Sequence, residues 1–315
     1  MSLLVVGSIA LDSVKTPFGE AQEVLGGSAT YFSVAASFFT RVQVVAVVGQ
    51  DFPKQHLDLL HSRDIDLSGL EVRAGKTFRW KGEYGYQLNE ARTLETRLNV
   101  FETFRPQLPE AYRTGDVVFL ANIDPEIQLS VLRQVKRPRL VACDTMNFWI
   151  EGKREALLRT LREVDVIIIN DGEARELSGE PNLVKAAQKI LTFGPKALII
   201  KRGEYGALMF SESRTFVAPA YPLETVFDPT GAGDSFAGGF MGYLARQFLR
   251  TPDPVVNRGL IAQEAVIRQA VILGSVMASF NVESFSLDRL GRLTWPEIQD
   301  RYQEFQRLTA FEDLL

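Results

Sequence analysis

The chain has 315 residues, 46% of them hydrophobic, enough to bury one large α/β core or two small ones. Its 35 basic and 39 acidic side chains leave a formal charge of −4, which excludes a general electrostatic pull toward nucleic acid or an anionic membrane. A single cysteine, Cys143, excludes an intrachain disulfide and agrees with a cytoplasmic location, and no stretch approaches the ~20 apolar residues that span a bilayer. Along the chain, the first apolar run, Leu3–Val6, follows no basic segment and reads as a buried strand rather than a signal peptide. Similar runs recur at Val42–Val48, Val117–Leu120, Leu140–Ala142, Val166–Ile169 and Ala197–Ile200. Being apolar at every position, they suit strands covered on both faces. Helical patterns separate them at Ser28–Phe39, Glu126–Arg133, Lys153–Arg162 and Leu183–Leu191. This alternation predicts a three-layer α/β/α domain with a doubly wound, mostly parallel sheet spanning residues 1–315. Ligands of such sheets bind beyond the carboxyl ends of the strands, so polar residues just after each run are the site candidates.

One region breaks the alternation. From Thr77 to Val100 the pattern has period two, with Phe78, Trp80, Tyr84 and Tyr86 on one face and Arg79, Lys81, Glu83 and Gln87 on the other. It predicts a β-hairpin turning at Asn89–Arg92, inserted at about residues 72–104, with a second lid segment at about 12–25. Its aromatic face suits either a lid over a site or a patch that forms a homodimer. His56 and His61 lie in a polar helical stretch far from Cys143 and read as solvated rather than as zinc ligands.

The most informative string is Asp228-Pro229-Thr230-Gly231-Ala232-Gly233-Asp234-Ser235-Phe236. Its small-residue turn opens a helical pattern that runs to Phe248. Unpaired amides at a helix start, reached through small residues, form a plausible phosphate cradle. The same amides would hold Asp234 ionised, next to a bound phosphoryl group, where it can take the proton of an attacking alcohol. Taken alone, G-x-G-D is also an ordinary helix start with an acidic cap. Gly238, Gly239 and Gly242 weaken the helix by propensity, and close packing of neighbouring backbone accounts for them. Gly75-Lys76-Thr77 ends like a Walker A loop, but Leu70 stands where the first glycine is required.

The whole string resembles the C-terminal signature of ribokinase-like (PfkB) kinases. That resemblance implies a phosphotransferase using ATP and magnesium, with potassium as the monovalent cation of many members. It makes Gly231, Ala232 and Gly233 an anion hole and Asp234 the catalytic base. Asp228 and Thr230 match positions near the monovalent-cation site, with Thr230 on the nucleotide side. Gly26-Gly27 resembles the family's N-terminal di-glycine, and Asp12 matches the carboxylate that reads sugar hydroxyls, although it could simply cap a turn. Asp144 and Asn147 resemble a D-x-N pattern near the substrate. Asn170 and Glu173 match an N-x-x-E motif tied to magnesium and phosphate, although Glu173 could equally serve the dipole of its own helix. Lys201, Gly203 and Gly206 resemble the turn lining the nucleotide, and Gly274 lies in a segment, Ala270 to Ser284, similar to the one enclosing adenine. Two departures stand out: Tyr31 replaces the asparagine that follows the di-glycine, where it is a substrate-binding candidate that could stack on a ring or shrink the pocket, and Ala10 replaces the asparagine before Asp12.

These readings imply a kinase acting on a small sugar or sugar derivative, with a nucleoside as the alternative acceptor. The rival of another class is a non-catalytic binding protein of the same fold. Neither a nucleic acid nor a membrane is an expected partner.

Overall fold

The computed structural model describes residues 2–212, 214–250, 263–310 and 312. The apolar runs become the centre of a nine-stranded sheet. Its strands are β1 (Leu3–Val6), β4 (Val42–Gly49), β5 (Asp66–Arg73), β8 (Val117–Leu120), β9 (Leu140–Cys143), β10 (Val166–Asn170), β11 (Ala197–Lys201), β12 (Ala207–Ser211) and β13 (Arg214–Ala218). Their order is β13-β12-β11-β10-β9-β8-β1-β4-β5. All pairings are parallel except β11 with β12 and β12 with β13. The order reverses at β1, whose neighbours β4 and β8 lie far apart in sequence, and a crevice at such a reversal is where ligands bind.

The central strands are apolar throughout because each face meets a different core. Leu3, Val5, Phe119 and Ile168 pack toward α1 (Ser28–Ser37), α8 (Ala232–Arg250), α9 (Glu264–Asn281) and α11 (Trp295–Thr309). Leu4, Val6, Leu120 and Ile169 pack toward α3 (Pro125–Leu132), α5 (Arg154–Leu161), α6 (Asp171–Ser178) and α7 (Leu183–Leu191). Burying each such side chain contributes about 1.5–3 kcal/mol. The glycines of α8 are there for packing: a Cβ on Gly238 would lie 2.4 Å from the Phe32 carbonyl oxygen of α1, and one on Gly239 2.7 Å from the Leu273 carbonyl oxygen of α9. Helix α8 can therefore press against both neighbours backbone to backbone.

A second sheet of four strands has the order β3-β2-β6-β7 and forms the lid. It joins β2 (Ala10–Thr16) and β3 (Gly19–Gly26) to β6 (Phe78–Tyr84) and β7 (Ala91–Arg97), with β2 and β6 parallel. The hairpin turns earlier than its alternation suggested. Tyr84 pairs with Ala91, so the connection is residues 85–90 and Ala91 and Arg92 belong to the strand. The expected aromatic face is also divided. Phe78 stacks on Phe101 with centroids 5.4 Å apart, Tyr84 turns inward, and Tyr86 is 92% exposed in the loop. Trp80 folds over Gly82, where any Cβ would sit 2.2 Å from the indole. Arg79, expected in solvent, is instead tied to Glu23 at 2.6 Å and Asp51 at 2.9 Å. A charged residue on the solvent face of a two-stranded ribbon becomes partly buried once a third strand and the body flank it.

Candidate active site

The acceptor side is built where the two sheets meet. Asp12 lies at a bulge in β2, opposite Val24, and is 4% exposed. Its carboxylate rests on the di-glycine: a Cβ on Gly26 would be 1.9 Å from Asp12 Oδ2. Gly27 has φ 96° at the start of α1, where a Cβ would also strike the Ser8 carbonyl oxygen. Ser8 and Ser28 fasten this turn reciprocally, each backbone N–H donating to the other's hydroxyl at 3.2 and 3.0 Å. Burial pushes Asp12 up to about 7, with the Gly27 amide opposing and Asp228 and Asp234 adding. Tyr31 is 1% exposed on α1, its ring packed against Gly231.

The Gly-Ala-Gly turn is held from behind. Asp228 Oδ1 accepts from the Thr230 amide at 2.9 Å and Oδ2 from the Ser286 amide at 3.3 Å, so this carboxylate braces two loops. Asn281 Nδ2 donates to the Thr230 carbonyl at 2.7 Å. Gly231 has φ 75°, and a Cβ there would lie 2.3 Å from the Tyr31 ring. The Ala232 amide donates to the Pro229 carbonyl at 3.1 Å, and that of Ser235 to the Gly231 carbonyl at 2.8 Å. The amides of Gly231, Gly233 and Asp234 make no hydrogen bond to any described residue, so they are the open donors of the turn.

Asp234 follows that turn at the head of α8. The expectation that the amides hold it ionised is corrected. Burial and the nearby Asp144 push it up to about 7, against the pull of Lys201. Its carboxylate accepts no hydrogen bond from a described residue, so the charge of Lys201 is what opposes the lost solvation.

On the other side of Asp234 lies a second charged group. Lys201 ends β11 and lies against Gly233, where a Cβ would be 2.9 Å from its Nζ. It pairs with Asp144 at 3.3 Å, and the two side chains are 18% and 6% exposed. Burial alone would lower Lys201, but Asp144, Glu173 and Asp234 raise it above its ordinary value. Glu173 forms a capping box with Asn170: Asn170 Oδ1 accepts from the Glu173 amide and Glu173 Oε2 from the Asn170 amide, both at 2.7 Å. Burial and then Asp144 push Glu173 up to about 8, opposed by Lys201. The two readings of Glu173 are thus compatible, because one oxygen caps the helix while the other stays unbonded.

Other candidates are placed differently. Asp144 stands with Lys201 and Glu173 rather than with Asp12. Asn147 is exposed at the start of α4 (Asn147–Gly152) and bonds Glu176. Gly203, with φ 54°, receives the lid tip, since a Cβ there would strike Asn89 Oδ1. Gly206 passes the Ala218 carbonyl oxygen too closely for a side chain, and Gly274 packs on Phe236 between α8 and α9. Thr230 Oγ1 donates to the Tyr84 hydroxyl of the lid at 3.3 Å. Sequence reasoning placed Tyr84 only on the lid's apolar face; no local signal joins it to Thr230, 146 residues away.

Open amides, a buried ammonium and a free Glu173 oxygen suit a nucleotide's phosphates with magnesium. No three His, Cys, Asp or Glu side chains converge on one point among the described residues. Magnesium takes one or two carboxylates and fills its octahedron with phosphate and water, and Glu173 offers one such oxygen.

The model of the pfkB family carbohydrate kinases matches residues 3–289. A cytidine kinase from Thermococcus kodakarensis is 31% identical over 275 residues, covering 85% of this chain and 97% of that protein. Two solved structures share the fold. The Burkholderia thailandensis nucleoside kinase in complex with inosine has TM-score 0.72 and 19% identity, covering 96% of this chain and 98% of that one. A putative ribokinase II from E. coli in complex with ATP and magnesium has TM-score 0.73 and 19% identity, covering 96% and 99%. With the lid over a Gly-Ala-Gly turn that leads into Asp234, this chain is a ribokinase-like kinase and belongs to the pfkB family.

Proposed function

We propose that the protein transfers the γ-phosphoryl group of ATP to a hydroxyl of a nucleoside. The observation that carries the acceptor is the likeness to a cytidine kinase along 97% of that protein's length. The sequence reading put a sugar first and a nucleoside second; this relative reverses the order. Asp234 removes the proton of the attacking hydroxyl, and Asp12 holds the hydroxyls of the sugar ring. The Gly233 and Asp234 amides and the Lys201 ammonium stabilise charge on the transferred group. Magnesium, when bound, neutralises and aligns the phosphates, and the free oxygen of Glu173 is its candidate protein contact. The lid excludes water, which favours transfer over hydrolysis.

An ADP-release assay with cytidine, other nucleosides, ribose and fructose tests the reading. Turnover of sugars but of no nucleoside would reject it, and inertness toward both would favour a non-catalytic binding protein. The pH profile carries a second expectation. Asp234 acts as base only when ionised, so kcat/KM for cytidine should rise with pH and level off above about 7. A profile flat from pH 5 to 9 would remove Asp234 from that role.

Asp12→Ala is expected to weaken cytidine binding ~10–100-fold, the worth of hydrogen bonds to a charged group, and to leave ATP binding nearly unchanged. Calorimetry with cytidine and with a non-hydrolysable ATP analogue, each alone, reads the difference. Equal losses for both ligands would mean that Asp12 supports the fold of the β2–β3 turn instead.

A further inference from the structure

Tyr31 carries a hydroxyl that nothing in the described chain satisfies. The residue is 1% exposed, and its phenol oxygen is buried without a hydrogen-bond partner. Buried hydroxyls are rarely left so, and each instance asks for a reason. The charged and phenolic groups acting on it are Asp12, Asp228, Tyr84 and Asp234. Two of these are already engaged. Asp228 takes the Thr230 and Ser286 amides, and the Tyr84 hydroxyl is bonded to Thr230 Oγ1. Burial and the surrounding carboxylates keep the Tyr31 phenol protonated, well above its ordinary value. Among the described residues none accepts from it, so it stands as a donor free to take an acceptor oxygen from a bound molecule.

The position is fixed by packing. Tyr31 is on the first turn of α1, and its ring fills the space that a side chain at Gly231 would need. The hydroxyl cannot swing away without opening a void beneath the phosphate turn. The Tyr31 phenol, a donor, and the Asp12 carboxylate, an acceptor, thus lie near enough to act on one another and on Asp234, with the Tyr31 ring against the phosphate turn. An alcohol meets both demands at once, accepting from one and donating to the other. A carbonyl of a nucleobase could only accept, and an exocyclic amine could only donate.

We propose that the Tyr31 hydroxyl donates a hydrogen bond to one secondary hydroxyl of the acceptor's ribose and so discriminates against the analogue that lacks that hydroxyl. The proposal rests on the nucleoside reading above. A site built to bond a substrate hydroxyl discriminates against the analogue lacking it, because its own polar groups are then left unpaired.

Tyr31→Phe keeps the ring against Gly231 and removes only the hydroxyl. The experiment compares kcat/KM of wild type and variant on cytidine, 2′-deoxycytidine and 3′-deoxycytidine. The variant is expected to lose about tenfold on cytidine, the scale of one hydrogen bond to a neutral group. The loss should vanish on the deoxy analogue that lacks the contacted hydroxyl and persist on the other. Equal losses on all three substrates, or no loss on any, would overturn the role of Tyr31 while leaving the nucleoside reading intact. A wild type that phosphorylates sugars and none of the three nucleosides would overturn both.

Discussion

Replacing Asp234 with asparagine is expected to lower turnover ~10²–10⁴-fold, the usual contribution of a positioned general base. The asparagine has the same shape and cannot accept the hydroxyl's proton. The fold should not suffer, because the Asp234 carboxylate accepts no hydrogen bond from a described residue. Stability should even hold or rise at high pH. A carboxyl raised in the folded state to about 7 costs stability as pH climbs from its ordinary value of 3.8 through 7, and the amide has no such cost. Binding of a non-hydrolysable ATP analogue should stay within a few-fold. Single-turnover kinetics, thermal melts at pH 6 and 8, and calorimetry with the analogue check the three parts in turn. Wild-type turnover in a folded variant would show that another group takes the proton.

Lys201→Met should damage both stability and the phosphate site. The ammonium lies among Asp144, Glu173 and Asp234, and its removal leaves buried carboxylates without their counter-charge. Breaking a buried pair by deleting one partner costs about 3–5 kcal/mol. The cost should depend on pH. Glu173 is already raised from 4.5 to about 8, so the folded protein binds its proton more tightly than the unfolded chain does. Such a group supports the fold fully below 4.5 and loses that support as pH rises through 8. Without Lys201 the carboxylates rise further, so the variant's deficit should be larger at pH 8 than at pH 5. Urea denaturation of both proteins at the two pH values measures it. A deficit that does not change with pH would mean that Lys201 acts by packing alone. The KM for ATP should also rise, since the ammonium borders the open amide of Gly233.

The centre of the large sheet was legible because every residue of β1, β8 and β9 is buried, so burial imposed an unbroken apolar run. Strand β5 was missed for the opposite reason. It is the edge of the sheet, only half-buried, and its Asp66, Ser68, Glu71 and Arg73 erase the pattern. The lid hairpin was visible from its period of two, but not its partners. Nothing in Ala10–Thr16 announces that it will pair with Phe78–Tyr84, because strand pairing between distant segments leaves no mark on local spacing.

The sequence by itself determined the sheet's central strands, the helices between them and the phosphate turn with its aspartate. Each is a contiguous string whose local geometry follows from residue type and spacing. Only the tertiary structure decided how that string is charged and what surrounds it. Contiguity suggested an Asp234 held ionised by amides. Burial beside Asp144 raises it to about 7 instead. Likewise Gly26 is glycine because of Asp12, and Gly231 because of Tyr31. Desolvation and close approach depend on which distant residues fill the same few ångströms, and spacing along one chain does not carry that information.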